Sequence, residues 1–420
     1  MADVIEWIVA SPGYLAVILF VGAYPIVIGS WWIAASLMFA LKRERHDLGS
    51  AFYQLDEHPP VSILLAARNE EVDLPATVEA LERLDWPDVE IVIVDDASAD
   101  GTNAILSAFA DQGRLRLITK VEREGKAMAL NDALPFVSHE IILLLDADAR
   151  PAPDVLRWSV PHIVRLPRVA AVALNPRVAN VCSVVTALQA VEFSSTISVT
   201  RRAQALWGRL MTISGVSVLA RRTLIERAGR WDPSMATEDI AMTWQLQEQH
   251  LDVRYEPQAV VQMRVPESFG DLWRQRMRWG RGLIEVLQRD QTTTDMWASR
   301  RTWPLIAEAV LSIVWAHLLV ALMLLWAISL AVGGPAGAGS SPIPTFWGLI
   351  VLTVAMVQVM TGMLLEHRHD GGARQVVLYA VWFPLAYWMF NSLVVVRVTL
   401  PTLLQRRRAT AVTWQSPTRT

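Results

Sequence analysis

The chain contains a single cysteine, Cys182, which excludes an intrachain disulfide and any CxxC metal site, and the residue is expected as a small buried side chain. There is no internal repeat, and the only low-complexity piece is the short Gly/Ser/Pro run around residues 333–344. No lysine carries the glycines and the Ser/Thr of a phosphate-binding P-loop, which excludes an NTPase of that type. Charge is missing altogether from Ser11 to Leu41. About 20 apolar residues suffice to cross the hydrocarbon core, so this run can span with tilt or a bend at Pro25. It is too long for a cleaved signal and lacks a basic start.

What is present is an apolar chain of 420 residues with 18 Trp and a net charge of −3, the profile of a membrane protein with a sizeable soluble part. With charge so nearly balanced, no nucleic-acid partner is expected. Lys42, Arg43 and Arg45 follow the first apolar run; the positive-inside bias puts them in the cytoplasm and the N-terminus outside. The expected organisation is an N-terminal transmembrane helix with its basic flank (1–45), a cytoplasmic α/β domain (46–265), amphipathic interfacial helices (266–302), C-terminal membrane segments (303–400) and a basic tail (401–420). The C-terminal apolar stretches are Trp303–Val332, carrying Glu308 and His317, then Thr345–Leu365, then Val376–Leu400, carrying Asn391 and Arg397. Ionisable groups at membrane depth face protein or a water-filled path, or snorkel to an interface; for Arg397 the path is the expectation. The uncharged loop "GGPAGAGSSPIP" suits the outside and "EHRHDGGARQ" the cytoplasm. Three full crossings would then leave Arg406, Arg407 and Arg408 outside, so either one stretch does not cross or the charge rule fails here.

Within the soluble part, "VSILLAARNEE" and "VEIVIVDDASADGT" each read as a buried strand ending in polar residues, with Asp100-Gly101 as turn chemistry. Strands alternating with helices predict a mostly parallel sheet whose ligands bind beyond the carboxyl ends of the strands, where Asp95 and Asp96 lie. Either could instead cap the next helix, Asp96 especially. Gly125 and Lys126 open a helix whose first amides could attract phosphate, with the lysine assisting. "EIILLLDADA" delivers Asp146 and Asp148 two residues apart, on one side of an extended backbone. Two hard oxygen donors suit Mg²⁺ or Mn²⁺, the alternative being a solvated strand-end turn. Glu238 and Asp239 fall in the first turn of a helix, where the helix dipole alone favours acids; a general base also needs a carboxylate aimed at substrate, and position does not choose between them.

"QRMRW", 275–279, places Gln275, Arg278 and Trp279 at i, i+3 and i+4, a donor, a cation and a ring on one helix face. That face could hold a sugar phosphate. Equally, the helix could lie in the membrane interface, with Trp279 as anchor and Arg274, Arg276 and Arg281 against anionic lipid.

The ordered set of Asp95, "DAD" at 146–148, "TED" at 237–239 and "QRMRW" resembles the processive family 2 glycosyltransferases, which include cellulose, chitin and hyaluronan synthases. Within that group "NPRVAN", "EFSS", "ISGV", "YEP", "VPES" and the tail "WQSPTR" look most like bacterial poly-β-1,6-N-acetylglucosamine synthases. The resemblance implies a Rossmann-like GT-A domain inserted between transmembrane helices in the bacterial inner membrane. It implies inverting transfer of N-acetylglucosamine from UDP-N-acetylglucosamine to a growing polysaccharide. By the family motifs, Asp95 contacts uracil, Lys126 the diphosphate, Asp146 the nucleotide sugar and Asp148 the Mg²⁺ or Mn²⁺, with Asp146 sharing the metal. Asp239 is the base, with Glu238 beside it; Gln275 and Trp279 hold the acceptor and Arg278 the departing UDP. Arg68 and Glu70 join the donor set, and Arg68 stands where the family commonly has an aromatic residue, so that its guanidinium plane could stack on uracil instead. The resemblance also implies a small two-helix membrane partner conferring cyclic-di-GMP control. Chitin- or hyaluronan-type synthesis is the alternative within the enzymes; a transporter with a nucleotide-sensing domain is the alternative outside them, and only the enzymes release UDP.

Overall fold

In a computed structural model, residues 2–45, 49–293, 300, 302–332, 345–369 and 373–405 are described. The Gly/Ser/Pro loop and the tail from residue 406 lie outside them, with the "WQSPTR" stretch. Strict alternation in the apolar runs divides the core. Ile63 and Leu65 of β1 (Val61–Ala67), Ile93 of β2 (Val89–Asp95) and Leu143 of β4 (Ile141–Asp146) enter one cluster, while Leu64, Val92 and Ile142 enter the cluster on the opposite face. With β3 (Arg116–Thr119), β5 (Arg150–Pro151), β6 (Val169–Val178), β7 (Ser217–Arg221) and β8 (Asp252–Met263), these strands form one sheet in the order β3-β2-β1-β4-β7-β6-β8-β5.

The sheet is mixed. Strands β3, β2, β1 and β4 are parallel, but β7 inserts antiparallel between β4 and β6, with Leu145 opposite Ser217. In the parallel half Ala67 pairs with Asp95 and Ala66 with Asp146, so three strands end level at one edge. Cys182 is exposed in the link after β6, contrary to the buried position expected; its backbone amide bonds Thr186 Oγ1, which turns the residue away from the core.

The helices that position the site are α1 (Pro12–Phe39), α2 (Lys126–Ala133), α3 (Val184–Glu192), α4 (Ser198–Leu206), α5 (Glu238–Glu248), α6 (Phe269–Thr293), α7 (Trp303–Ala331), α8 (Thr345–Glu366) and α9 (Phe383–Leu404). Among the described residues, four helical stretches are long and apolar enough to cross a membrane: Pro12–Glu44, Trp303–Ala331, Trp347–Glu366 and Phe383–Leu404. Helix α8 runs alongside α1 in the same direction, with Trp347 at Gly22 and Val354 at Gly29. Helix α7 runs the opposite way, tied by Tyr24 to Ser312 (2.6 Å) and by Trp315 Nε1 to the Val21 carbonyl (2.9 Å). Where α1 and α8 end, Glu366 is fully buried and accepts from Arg177, Arg202, Ser198 (2.6 Å) and Asn175 (3.1 Å), while Arg202 also donates to Glu44 at 2.7 Å. This ion cluster fastens two membrane helices to β6 and α4.

Helix α9 behaves differently from the other apolar helices. Phe383 packs with Ala187 and Val191 of α3 and Met363 of α8. Phe390 then meets Phe269 and Trp273, Val394 and Val398 meet Gly280, and Gln405 meets Arg281 at 3.0 Å. Thus α9 lies beside α6, while Trp388 packs on Trp315 of α7. Arg397 is exposed on α9.

Candidate active site

The level strand ends bring the first residues together. Beyond β1, Arg68 Nη1 donates to the carbonyls of Asp96 (2.6 Å) and Ala97 (2.7 Å). The turns on both strands enter left-handed backbone at Asn69 (φ 54°) and Ala97 (φ 53°), uncommon away from glycine and usual beside ligand sites. Glu70 is buried, and its amide donates to Thr102 Oγ1. Asp95 is 1% exposed; Ser98 and Asn103 donate to its oxygens, so its carboxylate shapes its own loop. Asp96 accepts from the amides of Glu124 and Gly125, both at 2.9 Å, and so holds the approach to α2. The next helix, Thr102–Asp111, is served instead by Asp100, which accepts from the Thr102 amide.

Gly125 turns through φ 91° and delivers Lys126 to the centre of the cleft. Its Nζ bonds Asp146 Oδ1 (2.5 Å) and the Gly215 carbonyl (2.8 Å), and lies 3.4 Å from Glu238. Burial pulls the Lys126 pKa down, but Asp146 and Glu238 more than reverse this and hold it firmly protonated. Strand β4 ends at Asp146, so Asp146 and Asp148 are presented by a turn closed by the Ala149 amide on the Asp146 carbonyl, not by extended backbone. Both still line one small cleft with Arg68, Glu70, Asp96 and Lys126.

On the far side stands Asp239, in the first turn of α5. It accepts from Thr212 Oγ1 (3.0 Å) and the Gly215 amide (2.8 Å), supplied by the loop before β7. Burial, then the neighbouring Glu238 charge, raise its pKa against the pull of Lys126 and Arg278. Burial acts on Glu238 in the same sense, but Lys126 and Arg278 outweigh it and its pKa falls. Adjacent carboxylates are thereby driven apart, the pattern that separates a proton acceptor from a permanent charge.

Helix α6 starts at Ser268, whose Oγ accepts from the Asp271 amide, and grips the "TED" segment. Arg278 donates to the Ala236 carbonyl at 3.2 Å, Glu285 accepts from the Ala236 amide at 2.9 Å, and Gly282 is so close to Thr237 that a Cβ would fall 2.1 Å from its Oγ1. Gln275 Oε1 is buried with no hydrogen-bond partner among the described residues, and a ligand hydroxyl could donate to it. Trp279 packs against Phe193, Met263 and Val265. Arg276 is buried on Glu192, which overturns the lipid-facing expectation for that arginine.

The arrangement thus offers a protonated lysine and two carboxylates in the cleft, with a carboxylate of raised pKa and an arginine close enough to act on one another's charge. Among the described residues no three His, Cys, Asp or Glu converge as a closed metal site. Asp146 and Asp148 nevertheless fit the open mode in which one or two carboxylates and a ligand phosphate share a hard dication. Sequence reasoning did not single out Thr212, Gly215, Glu192 or Glu285; "ISGV" and "EFSS" were the only signals, and neither spells out its contacts.

Residues 58–282 match the family described as "Glycosyltransferase like family 2". The chain is 30% identical over 400 residues to a poly-β-1,6-N-acetyl-D-glucosamine synthase of Staphylococcus epidermidis, covering 94% of this chain and 97% of that protein. It is 30% identical over 399 residues to the synthase of the same name from Staphylococcus aureus (strain COL), with the same coverage. A mannosyltransferase from Pyrobaculum calidifontis, solved with GDP-Man and Mn²⁺, superposes with a TM-score of 0.62 at 22% identity, covering 91% of this chain and 99% of that one.

Proposed function

The chain belongs to the glycosyltransferase like family 2, a GT-A enzyme flanked by apolar helices, and from that premise we propose that it polymerises N-acetylglucosamine from UDP-N-acetylglucosamine into a β-1,6-linked exopolysaccharide of the biofilm matrix. The observation that carries the reading is the clustering of Lys126, Glu238, Asp239 and Arg278 as mutually interacting charges at the edge of the cleft that Lys126 lines, joined to likeness over 94% of the chain to the staphylococcal synthases.

A sugar hydroxyl is a poor nucleophile and needs a base within hydrogen-bond reach as it attacks. Asp239 takes that proton; its raised pKa makes it a stronger base than an ordinary aspartate. Glu238 stays ionised beside it and holds Lys126 and Arg278 in place. As the anomeric bond breaks, negative charge grows on UDP, and Lys126 and Arg278 are the cations poised to meet it. Asp146 and Asp148 would hold Mg²⁺ or Mn²⁺, which when bound supplies further charge stabilisation to the diphosphate. Arg68 and Glu70 border the nucleotide end. Asp95 acts on the uracil side through the loop it closes. Gln275 offers its open carbonyl to an acceptor hydroxyl, and Trp279 gives a sugar face an apolar ring without fixing one register, which suits a chain that slides.

The proposed setting is a bacterial inner membrane with the catalytic domain cytoplasmic. Helices α1, α7 and α8 cross; α9 lies in the cytoplasmic interface beside α6. The chain then leaves Gln405 on the catalytic side. Three crossings are few to enclose a hydrated polysaccharide, which motivates a small two-helix membrane partner conferring cyclic-di-GMP control. A purified chain in lipid that matched the cellular rate of polymer formation would remove the partner.

The test of the whole reading is incubation of purified protein with UDP-N-acetylglucosamine. UDP release is expected, abolished by chelator, restored by Mg²⁺ or Mn²⁺, and not restored in Asp148→Ala. The product should yield to a β-1,6-specific hexosaminidase and resist chitinase. The reverse digestion pattern moves the enzyme to chitin-type synthesis, and absence of UDP release removes the enzyme reading.

A further inference from the structure

Behind Trp279 lies a buried charge pair that the reaction does not consume. Glu192, the last residue of α3, is 5% exposed, and Arg276 on α6 is also 5% exposed. Arg276 Nη2 donates to Glu192 Oε2 at 2.6 Å, and the Tyr387 hydroxyl from α9 stands beside the same carboxylate. The guanidinium carbon stands 4.1 Å from the centre of the Trp279 ring. Three elements distant in sequence therefore meet at one ring: the end of α3, the membrane-side helix α9 and α6 itself.

A planar guanidinium anchored at its fork has little freedom to rotate, and a ring stacked on it inherits that orientation. Lysine could supply the charge but not the plane. We propose that Glu192, Arg276 and Tyr387 are positioning residues that set the orientation of Trp279 as the platform for the acceptor sugar. This rests on the reading of Trp279 as acceptor-binding. The relay touches neither Lys126 nor Asp146 nor Asp239, so its effect falls on the acceptor and on chain length, not on the nucleotide. Through Tyr387 it also links the platform to α9.

The experiment uses the full chain in lipid and measures kcat and KM separately for UDP-N-acetylglucosamine and for a short N-acetylglucosamine oligosaccharide, with product length. Arg276→Met should raise the acceptor KM about tenfold, the loss expected of a desolvated cation–π contact of roughly 1.4 kcal/mol, and shorten the product while the donor KM moves less than about twofold. Arg276→Lys should recover only part of this. In Trp279→Ala the acceptor KM should rise as well, and adding Arg276→Met should then change little. Tyr387→Phe removes one hydroxyl, is the milder variant should Arg276→Met fail to fold, and should raise the acceptor KM by about two- to fivefold, the scale of a single hydrogen bond. If Trp279→Ala raises the acceptor KM but neither Arg276→Met nor Tyr387→Phe does, the relay is overturned and the acceptor reading stands. If Trp279→Ala leaves the acceptor KM unmoved, the acceptor reading fails and takes the relay with it.

Discussion

On the proposed nucleotide side of the cleft, Arg68, Asp96 and Asp146 stand at the ends of neighbouring parallel strands, and Lys126 is delivered by a loop that Asp96 holds. On the proposed acceptor side, Asp239, Gln275, Arg278 and Trp279 sit on helices held in place by long-range contacts: Ala236 between Arg278 and Glu285, Thr237 against Gly282, Arg276 on Glu192. Strand register alone aligns the first half, so its parts tolerate change in the membrane region. The second half is only as well formed as the packing of α6 against everything around it, and disturbance there should uncouple transfer from nucleotide binding.

The sharpest way to separate the halves is Asp239→Asn. Polymer synthesis should fall by about 10²- to 10⁴-fold, the worth of a general base, while UDP-sugar affinity stays near that of the parent. Synthesis within a few-fold of the parent would dismiss Asp239 as the base.

Glu366→Ala attacks the junction between the membrane helices and the α/β part that carries both halves. It leaves Arg177 and Arg202 buried without their shared carboxylate, a loss of about 3–5 kcal/mol for a broken buried pair. Thermal unfolding in detergent should register it as a large drop in midpoint, and an unchanged midpoint would show that the cluster does not fasten the membrane helices.

Gly282→Ala probes the acceptor side alone, because the added methyl must displace Thr237. A cost of about 1–3 kcal/mol is expected from overpacking, with transfer rate reduced and nucleotide affinity kept. Parent-like melting and rate would mean that α6 does not brace the "TED" segment.

The smallest effect is in pH. Asp239 works ionised and its pKa is raised by burial and by Glu238, so activity should be lost on acidification at a pH above the ordinary aspartate value of about 3.9. Glu238→Gln removes the repelling charge and should move that acid limb downward. A limb that stays put or moves upward contradicts the assignment.

The first half was the more legible in the sequence. "DAD" and Asp95 lie at the ends of apolar runs that already read as buried strands, Gly125-Lys126 opens a helix, and the antiparallel insertion of β7 did not disturb that edge. Where local reading slipped, a neighbour far along the chain decided: Asp96 holds the loop before α2 and not the next helix, and Cys182 is outside the core. For "QRMRW" helical spacing named the face but gave its arginines no partners. Arg276 faces Glu192, 84 positions away.

The order of motifs, the apolar spans and the strand-end carboxylates were thus determined by the sequence itself, because periodicity and turn chemistry are local properties of the chain. The tertiary structure alone decided which carboxylate has its pKa raised, where α9 lies, and what stands behind Trp279. Those depend on burial and on charges brought together from distant segments, and electrostatic interaction follows distance in space, not separation along the chain.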